Sequence, residues 1–113
     1  MLLYKMRAIN HMSEDYSSYN NRNIVLRELI GLRVRVLSCR DAKQAGLQGM
    51  VKDESKNTLV VDTGNRLIRL VKATSTFRFY AGRQSFVVRG DEIAFRPEDR
   101  IEKGMKYYKR REL

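Results

Sequence analysis

Residues 76–89 read T-F-R-F-Y-A-G-R-Q-S-F-V-V-R, and this stretch decides the fold class. Phe77, Phe79 and Ala81 alternate with Arg78 and Tyr80, the period of two expected of a half-buried strand. Gly82 and Arg83 break the run as a tight turn, and Phe86 and Val88 resume the alternation over 85–89. Two alternating runs around a glycine turn make an antiparallel hairpin.

The same grammar extends outward. Upstream, Leu32, Val34 and Val36 alternate with Arg33 and Arg35. Further runs at 48–53, 58–63 and 66–72 are separated by Lys56-Asn57 and Gly64-Asn65, and Gly90-Asp91 leads into a last run at 92–96. Six or seven short strands with Gly and Asn turns predict a mainly β protein, a small antiparallel barrel in which closure removes exposed strand edges. The inward set is Val34, Val36, Val51, Leu59, Val61, Ile68, Leu70, Phe77, Phe79, Phe86, Val88, Ile93 and Phe95. One bulge would invert this assignment locally.

Helical signals flank the strands. Val25, Leu26, Leu29 and Ile30 form an apolar stripe over 24–31, with Asn23 as the capping residue and Gly31 as the left-handed stop. Pro97 opens a C-terminal helix, where Glu98 and Asp99 suit the positive end of its dipole. Ile101, Met105 and Tyr108 give that helix a narrow apolar stripe, Gly104 weakens its middle, and the crowded Lys103, Lys106, Lys109, Arg110 and Arg111 predict fraying. The expected organisation is a flexible tail over 1–22, a barrel domain with a leading helix over 23–100, and a basic helix or tail over 101–113.

Charge points to the partner. The 113 residues carry 23 Lys and Arg against 13 Asp and Glu, a net charge of +10. So large an excess attracts polyanions, nucleic acid first among them. No segment approaches ~20 apolar residues and the first residues are too short for a signal-peptide core, so no membrane association and a cytoplasmic location are expected. The single cysteine, Cys39, cannot form an internal disulfide and reads as a small filler.

Catalytic constellations are missing. His11 is the only histidine and lies in the expected tail. The pairs Asp53-Glu54, Asp91-Glu92 and Glu98-Asp99 are sequence neighbours; on a strand such neighbours face opposite ways and cannot converge on two metal ions. They read as turn and helix-start residues. No catalytic residue, metal site or cofactor is expected of this chain. Binding chemistry is better supplied: residues 64–96 hold seven basic and two acidic residues. Arg78 and Tyr80 share an outward face, where Tyr80 could stack on an unpaired base, and Lys72 is assigned to that surface as well.

Four stretches carry a family resemblance. Residues 23–34 read N-I-V-L-R-E-L-I-G-L-R-V, 53–59 read D-E-S-K-N-T-L, 77–79 read F-R-F and 96–100 read R-P-E-D-R. In this order and spacing the chain resembles archaeal ribonuclease P protein component 1. The resemblance covers about residues 23–100 and implies an Sm-like barrel with helical extensions. It further implies a subunit of ribonuclease P, the ribonucleoprotein that removes the 5′ leader of precursor tRNA. The RNA of that enzyme performs the hydrolysis, with magnesium. Implied partners are that RNA, precursor tRNA indirectly, and a zinc-ribbon protein subunit. Carried onto matching positions, the resemblance assigns RNA contacts to Lys56, Asn57, Arg78, Arg96 and Arg100. Val25, Leu26, Leu29 and Ile30 are the candidate protein interface. The competing readings are another small-barrel RNA-binding protein, ribosomal or Sm-type, and a nuclease acting alone.

Overall fold

The computed structural model describes residues 16–113. Six antiparallel strands form one sheet: β1 (Arg33–Cys39), β2 (Gln48–Glu54), β3 (Thr58–Asp62), β4 (Leu67–Val71), β5 (Ser75–Ala81) and β6 (Gln84–Arg89). Their order is β4-β3-β2-β1-β5-β6. Two short helices, α1 (Arg100–Lys103) and α2 (Met105–Arg110), close the chain.

The period of two sets the core. Of the thirteen residues expected inward, eleven are buried; Ile68 and Phe95 are half-buried. Phe77 and Phe79 sit at its centre with ring centroids 5.6 Å apart. Each fully buried Leu, Ile or Phe stabilises by roughly 1.5–3 kcal/mol, so this single cluster outweighs any one polar contact.

Several expectations are corrected. The hydrogen-bonded ladders form an open six-stranded sheet, with β4 and β6 at the edges of the pairing order. The edges meet by packing instead: a Cβ on Gly90, just after β6, would lie 1.5 Å from the carbonyl oxygen of Lys72, just after β4. The run at 92–96 is not a strand. Residues Gly90–Ile93 form a 3-10 turn, fixed by the Arg89 N–H donating to Glu92 Oε2 at 3.1 Å. The leading helix shrinks to a 3-10 turn, Asn23–Leu26. Asn23 is its first residue rather than its cap; the cap position is Arg22, without a side-chain cap, and Asn20 Oδ1 accepts from the N–H groups of Arg22 (2.9 Å) and Asn23 (2.8 Å). Gly31 does adopt the left-handed conformation (φ +94°).

The expected tail lies outside the described residues up to position 15, and with it His11. From Tyr16 the chain packs: Tyr19 belongs to the core, and Gln84 donates a hydrogen bond to the Tyr16 carbonyl at 3.2 Å. The C-terminal segment is held too. Arg111 donates to Asn21, to Glu92 Oε2 (2.8 Å) and to the Val87 carbonyl (2.8 Å). Gly104 separates α1 from α2 and is buried, its Cα side against the Arg100 carbonyl and Leu26. Tyr107 and Tyr108 pack on the core, while Ile101, expected inward, is 66% exposed.

Candidate nucleic-acid interface

Leu32, Val34 and Val36 bury one face of β1, so Arg33 and Arg35 must project from the other. Phe77, Phe79 and Ala81 do the same for Arg78 and Tyr80 on β5. The β1–β5 register then sets Arg33 opposite Tyr80 and Arg35 opposite Arg78. The Arg33 guanidinium lies over the Tyr80 ring, 5.4 Å from its centroid. Arg78 donates to Ser85 Oγ on β6 at 3.1 Å, which orients its side chain.

No carboxylate occupies an outward position of β1, β5 or β6. None of Arg33, Arg35 and Arg78 takes part in an ion pair among the described residues. Like charges opposed across a ladder repel. A face that assembles them around an aromatic ring is therefore suited to an anionic, base-bearing ligand. Sequence reading singled out Arg78 and Tyr80 but passed over Arg33 and Arg35. The signal was present, since both alternate with three core residues.

The other candidates scatter. Lys56 and Asn57 are exposed in the β2–β3 turn, at a distance in the ladder from the Arg33–Tyr80 pair, and the Asn57 carbonyl accepts from the Lys72 N–H at 2.8 Å. Arg96 is exposed but engaged with Asp99 (3.1 Å) and Glu98 (3.8 Å). The hydrogen bond from Arg96 holds the Asp99 carboxyl below the usual carboxylate range.

Lys72 and Arg100 must be withdrawn as surface contacts. The Lys72 side chain is 0% exposed and that of Arg100 2%. Both bind Glu54 Oε2: Lys72 Nζ at 2.8 Å, and Arg100 through Nη2. Lys72 also donates to the carbonyls of Ser55 (2.7 Å), Ile93 (2.9 Å) and Phe95 (3.3 Å). Burial pushes the Lys72 ammonium below its ordinary value, against the pull of Glu54. Glu54 Oε1 and Arg100 Nη1 have no hydrogen-bond partner among the described residues. The trio thus joins the end of β2, the end of β4 and the first turn of α1 beneath the surface.

The apolar candidates divide as well. Val25 and Leu29 are completely buried in the protein's own core, so neither can meet a partner. Leu26 is half-buried beside Gly104, and Ile30 is 40% exposed. Among the described residues no group of three or more His, Cys, Asp or Glu could hold a metal ion. No helix among them is long and apolar enough to cross a membrane.

Fold and site together define a basic β-sheet protein with helical C-terminal additions and an arginine face suited to an anionic ligand. Comparison with known proteins makes the class specific. The family described as ribonuclease P/MRP, subunit p29, matches residues 22–103, and the chain belongs to it. It is similar to ribonuclease P protein component 1 of Staphylothermus marinus, 39% identical over 85 residues, covering 74% of this chain and 92% of the relative. It is 45% identical over 83 residues to the protein of that name from Hyperthermus butylicus, covering 72% and 75% of the two chains. Among solved structures, Mth11, a homologue of the human RNase P protein Rpp29, superposes with a TM-score of 0.51 at 33% identity. That match covers 66% of this chain and 97% of Mth11.

Proposed function

We infer that this chain is an RNA-binding protein subunit of ribonuclease P, the endonuclease that removes the 5′ leader of precursor tRNA, and that it supports the catalytic RNA. The observation that carries the reading is the Arg33–Arg35–Arg78 face with Tyr80, clear of carboxylates, in a member of the p29 family. Folded RNA crowds its phosphates. Fixed guanidinium groups replace diffuse counterions there and gain the entropy of their release. In this reading hydrolysis belongs to the RNA and its magnesium, and this chain contributes binding and orientation. Precursor tRNA is met through the assembled enzyme.

Further parts of the reading are proposals of the same kind. The sheet works as an Sm-like barrel; in support, all six strands feed one buried cluster and Gly90 packs against Lys72 where the two edge strands end. A zinc-ribbon protein subunit is the protein partner, docking where Ile30 and Leu26 remain accessible beside α1 and α2. Lys56, Asn57 and Arg96 supply outlying RNA contacts. The site of action is the cytoplasm, in keeping with a basic chain whose described helices are too short to cross a membrane.

The test is reconstitution. Added to its cognate ribonuclease P RNA together with the zinc-ribbon subunit, the chain lowers the magnesium concentration needed to cleave precursor tRNA. An unchanged magnesium requirement at every salt concentration would overturn the assignment.

A further inference from the structure

The connection from β1 to β2 and the outer edge of β4 flank an open cleft of about 430 Å³, whose lining includes none of Arg33, Arg35 and Arg78. One wall carries Lys43 and Leu47. The other carries Arg66 and, on β4, Leu67, Ile68 and Arg69. One wall is the connection that follows β1, and the other is β4, the sheet edge beyond β3 and β2.

The first wall is pre-formed. Gly46 N–H donates to the Val36 carbonyl and Val36 N–H to the Leu47 carbonyl, both at 2.8 Å, which ties the connection to β1. Cys39 Sγ donates to Gln44 Oε1 at 3.4 Å. Asp41, the one carboxylate at the cleft, accepts from the Lys43 N–H at 3.0 Å and so serves its own turn. It pairs with none of Lys43, Arg66 and Arg69 among the described residues. The cleft therefore combines a net positive rim with apolar walls. Leu67 stands 63% exposed within it, and β4 is hydrogen-bonded by β3 on one side only.

A matching ligand carries a negative charge next to a flat apolar surface whose rim can bond to backbone. Those are the properties of a nucleotide, and the volume is within the ordinary range for small-molecule sites, ~300–1,000 Å³. We propose that this cleft takes one unpaired nucleotide of an RNA strand, its phosphate at Lys43, Arg66 and Arg69 and its base against Leu67. The proposal rests on the RNA-binding reading above and adds a second, single-strand-selective site to it. A duplex, whose bases are stacked away, meets only the arginine face.

Isotope-labelled full chain titrated with single-stranded hexauridylate, and separately with a blunt RNA duplex, tests this by amide NMR. Hexauridylate should shift the Leu47 and Leu67 signals, and the duplex should shift those of Arg33, Arg35 and Arg78 alone. Leu67→Ser, at an exposed position that leaves the fold intact, should weaken hexauridylate binding about threefold to tenfold and leave duplex binding unchanged. Lys43→Ala with Arg66→Ala should weaken it and flatten its salt dependence. Shifts confined to Arg33, Arg35 and Arg78 with both RNAs would overturn the cleft assignment and leave the RNA-binding reading standing. Shifts from neither RNA would overturn both. Cleft shifts that inorganic phosphate reproduces and Leu67→Ser does not alter would reduce the site to an anion contact and overturn the nucleotide assignment.

Discussion

Two groups of cations in this protein use the same side chains for opposite work. Arg33 and Arg35, exposed, and Arg78, half-buried, lie on the sheet face with no carboxylate partner, whereas Lys72 and Arg100 lie under the surface sharing the single carboxylate of Glu54. In water a guanidinium is cheap to leave unpaired and remains available to phosphate. In the interior the same group must be answered, and the attraction of a buried pair only roughly offsets the cost of desolvating it. The outer group is therefore disposable for folding and left available for a ligand, and the inner group is the reverse. With Glu54 Oε1 and Arg100 Nη1 unsatisfied, the inner trio adds little net stability as it stands, yet removing one member is expensive.

The buried group is most sensitive at Glu54. Glu54→Gln leaves two buried cations without an anion and should destabilise by about 3–5 kcal/mol, a large share of the 5–15 kcal/mol typical of a domain. Urea unfolding measures it, and a loss below about 1 kcal/mol would mean the trio is not formed. Lys72→Met keeps the aliphatic stem and the Glu54–Arg100 pair but strips a donor from three carbonyls. A loss of about 1–3 kcal/mol is expected, with RNA affinity unchanged in the folded fraction. Weakened RNA binding by that folded variant would restore Lys72 to the surface. Arg35→Ala and Arg78→Ala should do the opposite. Stability stays within about 0.5 kcal/mol of the parent, while RNA binding weakens and the slope of log K against log salt falls by about 0.7–0.9 per site. A stability loss matching that of Lys72→Met would erase the contrast. The smallest effect is at Asp99. Its carboxyl is held down by Arg96, so its contribution is present above the unfolded value, near pH 4, and fades as pH falls through the folded value. Asp99→Asn should flatten the acid limb of a stability–pH curve below about pH 4, and a steeper limb would show the sign to be wrong.

Most of the sheet was legible because alternation is a local signal. Val34, Val36, Phe77, Phe79, Phe86 and Val88 are buried as their spacing requires. Lys72 was misplaced although the same rule located it: Leu70 points inward, so Lys72 shares its face. Glu54 was hidden by a bulge between Val51 and Asp53, which shifts the phase and turns Glu54 in where unbroken alternation would turn Asp53 in. Arg100 was lost to a one-residue phase error in the helix stripe. The inward set is Arg100, Gly104, Tyr107 and Tyr108, and the marker was Gly104, whose missing side chain permits the approach to Leu26. Barrel closure and the reduction of the first helix to one turn depend on contacts between distant segments, which no local pattern carries.

The pairing of β1 with β5 has a consequence for the making of the protein. Arg33 meets Tyr80 across almost half the chain, so during synthesis β1 is complete several seconds before its second neighbour emerges, at ~5–20 residues per second. For that interval β1 lacks its second partner, and a bare strand edge is a template for strands of other chains. Arg33 and Arg35 stand on that waiting strand, and their mutual repulsion between copies discourages mispairing. The arginines of the open face thus also guard the unfinished sheet.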